Sequence, residues 1–348
     1  MRVALVADTF SVEKGTGIAR YSEEMLKGLR SKGLLVEPIA LEPPNLPLGL
    51  AVNHALRMPY IVSRKARHFD LIHATSPVTA LCFPVIQQPT VVTYWDLVSL
   101  LCQNTSSAFH TRLFAPLFLR IGRFANAIIA SSSQTREEMI AHLGIPRQRI
   151  SVVNPGIAEV FRPTNRPARN HSVIGYVGAF NRRKGVDYLF RSFSVLRAEG
   201  LERGTKLVLC GRRTLEYSAL VQLAKDLDID RDVEFRGFVA GESLPTAYNS
   251  FDVFVLPSEW EGFGLPILEA QRCGVPVIIR EDAHIPQEVS KCCLKASSEE
   301  DMADKISKVL TNAAFREAVI EQGLEYTKQF TWERTVQETL KVYEEALS

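Results

Sequence analysis

The chain has 348 residues, 46% of them hydrophobic, and a net charge of +2, which suits a soluble globular protein of two ordinary domains, each long enough for its own core. No window approaches the roughly 18 to 20 uninterrupted apolar residues of a membrane span, and the opening Met1 to Asp8 is too short for a secretory signal, so a cytoplasmic location is expected. Residues 1–166 hold 18 Lys and Arg against 11 Asp and Glu, whereas residues 167–348 hold 23 against 28; the basic half suits an anionic partner such as a membrane surface.

Val3 to Ala7 is a short apolar run of the kind a buried parallel strand needs. The glycine-bearing loop Glu13 to Gly17 leads into a helical pattern through Ile18, Tyr21, Met25, Leu26 and Leu29, closed by Gly33. Further strands are expected at Val36 to Leu41, Leu71 to His73, Val91 to Tyr94 and Ala127 to Ala130, and a helix over Gln134 to Leu143 after the cap candidates Ser131 to Ser133. Leu56 to His68 is basic with interleaved apolar residues and has two readings, a surface that leans on a membrane and a solvated helix face. Such alternation indicates a parallel sheet with helices on both faces.

Phe161 to Asn170, polar and twice interrupted by proline, marks a boundary, giving an amino-terminal domain over 1–166 and a second over 167–329. Past it the pattern restarts, with strands at Val173 to Val177, Lys206 to Cys210, Val233 to Phe235, Val253 to Leu256 and Val275 to Ile279, and helices at Val186 to Arg197 and Leu215 to Leu227. Residues 330–348 form an amphipathic helix with Thr331 as its cap, whose Trp332, Val336, Leu340, Val342, Tyr343 and Leu347 are expected to pack back toward the amino-terminal domain. The α/β fold class is thus two tandem doubly wound, Rossmann-like domains, which bind ligands at the carboxyl ends of their strands and in the cleft between them. The six cysteines contain no Cys-x-x-Cys pair and read as reduced core thiols. Asn104 to Ser106 matches a glycosylation acceptor, without meaning in a cytoplasmic protein.

Residues 257–276 carry the most chemistry. Gly262 and Gly264 permit backbone angles that other residues avoid, and Pro266 suits the first position of a helix, so Glu261 lies on a turn and Glu269 in the first turn of the helix. On one continuous helix the two carboxylates would lie about 12 Å apart at roughly 1.5 Å per residue; the turn instead folds Glu261 back over the helix mouth. There the amides of residues 263–265 and the helix dipole attract a phosphate, while the carboxylates need hydroxyl partners. A nucleotide sugar offers both; the competing reading of Glu269 is a helix cap or dipole-compensating residue. After Val177, the stretch Gly178 to Gly185 places Arg182, Arg183 and Lys184 at the carboxyl end of a strand, where arginine offers phosphate a fork of donors and lysine a point charge.

With Gly17 to Tyr21, Ser151 to Gly156, Arg183 to Gly185, Leu207 to Gly211, Val233 to Val239 and the Glu261/Glu269 pair, the chain resembles the family 4 retaining glycosyltransferases, and within them the mannosyltransferase branch most closely. The resemblance implies a GT-B fold and a hexosyl transfer, mannosyl from GDP-mannose, to a saccharide or lipid-linked glycan; the basic amino-terminal half extends the expected cytoplasmic location to the inner face of the membrane. The resemblance also implies that Glu261 meets the transferred sugar, Glu269 the ribose, and Arg183 and Lys184 the diphosphate. Gly262, Phe263, Gly264 and Leu265 would offer amides; Gly178, Gly211, Phe238 and Val239 would edge the nucleotide; and Gly17, with Gly15 and Thr16, would close over the phosphates. No metal or cofactor and no nucleic acid is implied, so protein groups alone offset the diphosphate; Asp226, Asp228 and Asp230 read as solvated surface. His73 and His110 are left without a role.

Two positions depart from the family pattern. Trp95 stands where many relatives have a histidine, with Asp96 after it, and both are candidate sugar or acceptor contacts; indole stacks on a sugar and donates one hydrogen bond but takes up no proton. Ala179 stands where many have an arginine, a gap that Arg183 covers. UDP-sugar transfer, a silent nucleotide-sugar-binding subunit and a sugar-nucleotide epimerase are the competing functions, whereas a nicotinamide oxidoreductase is disfavoured because no Gly-x-Gly-x-x-Gly follows the first strand.

Overall fold

A computed structural model describes residues 1–11, 17–40, 53–102, 116–165, 169–200 and 204–348. It divides into two compact units, residues 1–156 with 330–348, and residues 157–329. The first contains β1 (Arg2–Val6), α1 (Gly17–Ser31), β2 (Leu35–Ile39), α2 (Met58–Lys65), β3 (Leu71–Ala74), β4 (Thr90–Tyr94), β5 (Ala127–Ala130), α3 (Ser133–Leu143) and β6 (Ile150–Val152). The second contains β7 (Val173–Val177), α4 (Val186–Ala198), β8 (Lys206–Cys210), α5 (Tyr217–Asp226), β9 (Val233–Gly237), α6 (Leu244–Asn249), β10 (Val253–Leu256), α7 (Leu265–Arg272), β11 (Val277–Arg280), β12 (Leu294–Ala296), α8 (Glu299–Thr311) and α9 (Ala313–Thr327). The chain ends in α10 (Trp332–Leu347).

Each unit has a six-stranded parallel sheet, ordered β2-β1-β3-β4-β5-β6 in the first and β12-β11-β10-β7-β8-β9 in the second. The alternation of side chains along β1 shows why helices cover both faces. Val3 and Leu5 join Tyr21, Met25 and Leu29 of α1, whereas Ala4 and Val6 join Met58 and Val62 of α2. Pro38 is tolerated in β2 because that strand lies at the sheet edge. Ser132 caps α3 by accepting the Thr135 N–H at 3.0 Å, and Thr331 caps α10 by accepting that of Arg334 at 3.2 Å.

Helix α10 packs in the first unit, on α1, β4 and β5. Its Val336 and Val342 are buried, each worth about 1.5–3 kcal/mol relative to exposure. Gly28 of α1 leaves no room for a Cβ against Val336, and Thr335 donates to the Asn154 carbonyl at 2.8 Å. Tyr343 reaches the middle of the sheet, where its hydroxyl bonds His73 Nδ1 at 2.7 Å while His73 Nε2 bonds Thr93 Oγ1 at 2.8 Å. His73 is therefore an internal polar link between α10 and strands β3 and β4.

The boundary between the units falls after Gly156, ten residues earlier than the proline-marked one at 166/167. Phe161 is buried with its ring 6.0 Å from that of Tyr248, and the Asn249 side chain bonds Arg162 O at 3.0 Å and Thr164 N at 2.9 Å. Residues 161–164 of the polar, proline-bearing segment are thus fastened to the second unit. Strands β6 and β12, three residues each, are too short for periodicity to reveal, and α5 begins at Tyr217 rather than Leu215. None of the six cysteines forms a disulfide; Cys82, Cys210 and Cys273 are buried as expected of core thiols, whereas Cys102, Cys292 and Cys293 are only half-buried.

Burial pushes the His73 imidazole down to about 3, so the folded chain holds it neutral while the unfolded chain protonates it near 6.5. Its contribution is complete above pH 6.5 and is lost as pH falls toward 3, at up to about 1.4 kcal/mol per pH unit. Between pH 6.5 and pH 5 the native chain should lose about 2 kcal/mol more stability in urea titrations than a His73→Gln variant; equal pH slopes would contradict a buried neutral His73.

Candidate functional site

The order of the second sheet determines which loops meet. β7 and β10 are parallel neighbours, with Ile174 opposite Val253, so the segments after them leave the same edge side by side. After β7 the chain passes Asn181, makes a tight turn over Arg182–Lys184, and enters α4 through Gly185 at φ 63°. A side chain at Gly185 would overlap the Pro257 carbonyl of the second loop, so both the backbone angle and the close approach require glycine there.

The two loops are clasped at three points. Glu259 N donates to Arg183 O at 2.9 Å, and the Arg183 guanidinium donates to the Trp260 carbonyl. Lys184 Nζ lies 2.6 Å from Glu261 Oε1 and 2.7 Å from Oε2, with the two side chains 13% and 7% exposed. The residues after β11 complete the arrangement: Glu261 N donates to His284 O at 3.0 Å, His284 N donates to Glu259 O at 2.8 Å, and the Trp260 and His284 rings lie 3.7 Å apart at 37°. Burial raises the proton affinity of Glu261, but the charges of Lys184 and Arg183 outweigh it and hold the carboxyl below its usual range. Asn181 Oδ1 and Trp260 Nε1, in the same loops, are buried without a hydrogen-bond partner among the described residues. Such atoms are normally satisfied by a bound molecule or water.

The two glutamates have different surroundings from those their spacing suggests. Gly264 sits at φ 95° and α7 opens at Leu265 with Pro266 in its first turn, so Glu269 is the fifth helical residue and lies beyond the first turn. It neither caps the helix nor offsets its dipole. It is 4% exposed and accepts the Tyr248 hydroxyl at 2.8 Å, a partner that no motif announced. Glu261 stands before the helix, and Phe263 and Gly264 between the two are buried. Asp226, Asp228 and Asp230 follow one another at the end of α5, and among the described residues no cluster of His, Cys, Asp or Glu gathers as a metal site.

At the same carboxyl edge, Gly178 N donates to Cys210 O at 2.9 Å and Gly211 N to Gly237 O at 2.8 Å. A Cβ at Gly211 would overlap the Gly178 carbonyl. Phe238 is 47% exposed, and Val239 beside it is half-buried.

In the first unit Gly17 is the exposed first residue of α1, while Gly15, Thr16, His110 and Asn104 to Ser106 lie outside the described residues. Trp95 is half-buried, packed against the core of the first unit. Its indole N–H donates to Thr75 O at 2.9 Å, its ring meets Tyr21 edge-on at 4.8 Å, and its carbonyl accepts the hydroxyls of Ser131 and Thr135. The hydrogen bond expected for a sugar is therefore already made within the protein. Asp96 Oδ1 accepts Val98 N at 3.0 Å at the start of the next turn.

Two protein-family models match the chain, Glycosyltransferase Family 4 over residues 15–159 and Glycosyl transferases group 1 over residues 158–326. The O-antigen chain mannosyltransferase B of Escherichia coli is 31% identical over 63% of this chain and 60% of its own length. The D-inositol 3-phosphate glycosyltransferase of Salinispora tropica is 27% identical over 93% of this chain and 74% of its own. Other relatives of the latter name are matched over 54–58% of their length, so the chain spans little more than half of most of them. Among solved structures, that of Anabaena HepE in complex with UDP and glucose superposes with a TM-score of 0.78 at 19% identity, over 98% of this chain and 99% of that one.

Removing one member of a buried pair leaves the other charge uncompensated, at a cost of about 3–5 kcal/mol. In urea titrations Lys184→Met should lose stability on that scale, and Lys184→Met combined with Glu261→Leu should lose less than the sum of the two single losses. Additive losses would show that the two side chains do not depend on each other.

Proposed function

The chain belongs to the family 4 glycosyltransferases and has their two-domain GT-B fold, and on that footing we propose that it moves a hexosyl unit from a nucleotide sugar to a saccharide or lipid-linked glycan. The observation that carries this reading is the Lys184–Glu261 pair, a buried cation and carboxylate side by side at the carboxyl edge of the second sheet. A diphosphate brings negative oxygens for Lys184 and Arg183, and the attached sugar brings hydroxyls for Glu261. Arrival of the donor then exchanges the carboxylate for phosphate at Lys184 and frees Glu261 to accept from hydroxyls. Asn181 Oδ1 and Trp260 Nε1 offer a further acceptor and donor in the same loops.

In the transfer, the acceptor oxygen forms its bond to the anomeric carbon on the face from which the phosphate oxygen leaves. The acceptor proton passes to a phosphate oxygen, so no protein nucleophile is involved and the configuration is retained. Lys184 and Arg183 stabilise the charge that gathers on the leaving diphosphate, without a metal ion. Mannosyl from GDP-mannose is the donor unit this reading favours, supported by the likeness to the O-antigen mannosyltransferase. A UDP sugar is the second reading, supported by the likeness to HepE, whose structure holds UDP and glucose.

A lipid-borne acceptor fits the surface of the first unit. Leu56 and Tyr60 are 66% and 61% exposed, and Arg64 lies over the Tyr60 ring at 5.7 Å. Val85, Leu117 and Phe124 are also exposed, with Arg123 over Phe124 at 5.3 Å. Aromatic and aliphatic side chains interleaved with arginine suit the headgroup layer of an anionic membrane. Among the described residues no helix is long and apolar enough to cross a membrane.

Replacing Lys184 by Ala should lower turnover of the donor by about 10²–10³, the scale for one preorganised charge-stabilising group. In the same assay Glu261→Gln should impair transfer more than nucleotide binding. Near-normal turnover in the first variant, or equal losses in the second, would sink these roles. Reversing two charges, Arg64→Glu with Arg123→Glu, should reduce co-sedimentation with phosphatidylserine vesicles by at least about tenfold; an unchanged sedimented fraction would remove the membrane from the account.

A further inference from the structure

The edge that carries the Lys184–Glu261 pair also holds Arg212, to which neither the fold nor the chemistry above gives a role, beside Phe238, expected to edge the nucleotide. Neighbouring parallel strands lie about 4.8 Å apart, so the residues after β8 and β9 stand one and two spacings, roughly 5–10 Å, beyond the end of β7. Along that path the strand ends are bare backbone: Gly178, Gly211 and Gly237 follow or close β7, β8 and β9. Gly237 has φ 76°, and a Cβ there would have no heavy atom within 4 Å. At the far end Arg212 and Phe238, both exposed, face each other, with the guanidinium carbon 4.6 Å from the ring centroid. Phe180 N donates to Arg212 O at 3.3 Å, which ties the turn after β8 to the one after β7.

A nucleoside reaching from a diphosphate at Lys184 across the ends of β8 and β9 would meet open space at Gly237 and then an aromatic ring with a guanidinium over it. We propose that Arg212, held by Phe238, is the residue that reads the base, and that it selects guanine. The inference rests on the donor reading above. Its chemistry follows from the fork of the guanidinium, five N–H donors in one plane, which matches two adjacent acceptors. Guanine presents such a pair, O6 and N7; adenine places an amino donor beside its N7, and a uracil edge, like that of thymine, offers one carbonyl where guanine offers two acceptors. The contact of Arg212 with the Phe238 ring, 4.6 Å from its centroid, holds the guanidinium at this end of the edge.

The test is calorimetric titration of the full chain with GDP and with UDP. The native protein should bind GDP more tightly than UDP. Arg212→Gln and Arg212→Lys should each weaken GDP by about tenfold to a hundredfold and leave UDP within about threefold, as loss of one bidentate base contact requires. Arg213→Gln removes a neighbouring charge stacked on Tyr217 at 4.5 Å and should leave the GDP to UDP ratio unchanged. A native preference for UDP, or equal weakening of both nucleotides by the Arg212 variants, overturns the inference while the donor site stands. Binding of neither nucleotide by the native chain overturns the donor reading, and this inference with it.

Discussion

Two charges buried against each other are costly unless geometry compensates them, and in this protein the compensation is a contact between loops that are far apart in sequence. Lys184 and Glu261 are separated by 77 residues, yet the ammonium meets both carboxylate oxygens because their strands are neighbours in a parallel sheet. Gly185 lets one loop approach the other, Glu259 and Arg183 join them through backbone groups, and His284 supports the second loop from behind. A buried pair of this kind adds little to stability compared with apolar packing; on the proposed function, its use is the exchange of partners at Lys184 when a third charged group arrives.

The two units use their buried polar groups differently. In the first, His73, Thr93, Tyr343 and Tyr21 bond to one another inside the core, and their role is to seat the final helix on the sheet. Trp95 belongs to the same interior economy of hydrogen bonds, since its indole N–H is held by Thr75. In the second, polar groups gather at the carboxyl edge of the sheet, where Asn181 Oδ1 and Trp260 Nε1 lack a partner among the described residues, as Ser76 Oγ and Trp332 Nε1 do in the first. A molecule that binds there meets prepared charge and backbone, which limits the reorganisation that binding requires.

The fold was largely legible from apolar runs, because parallel strands buried on both faces read as short hydrophobic segments and the helices between them carry their own period. β5, β7, β8 and β10 lie where those runs place them. Strands of three residues fall below what a period can reveal, and the boundary between the units was displaced because proline and polarity mark a turn but say nothing of what it docks against. At the candidate site the sequence identified Arg183, Lys184, Glu261 and Glu269 through glycine, proline and charge spacing. It did not show that lysine and glutamate pair directly, that Glu269 lies past the first helical turn, or that Tyr248 holds it. Those facts depend on which strands are adjacent and on where a helix begins to within one residue. Trp95 shows the same limit from the other side, since its residue type does not tell that its indole N–H is bonded to Thr75 O within the protein.

The central claim is that Lys184 is shared between Glu261 and the diphosphate of a donor, and the titration of Glu261 reports it directly. Carbon NMR of chain labelled at the glutamate carboxyl carbons, with Glu261→Gln to assign the signal, would follow this group across the acid range with and without saturating GDP. In the free protein it should titrate below the usual carboxylate range, because the Lys184 and Arg183 charges outweigh burial. With GDP bound it should move upward, as Lys184 turns to phosphate and new negative charge approaches. A titration that GDP saturates without shifting would contradict the account, since the lysine would then remain with its carboxylate and the pair would be a structural strut alone.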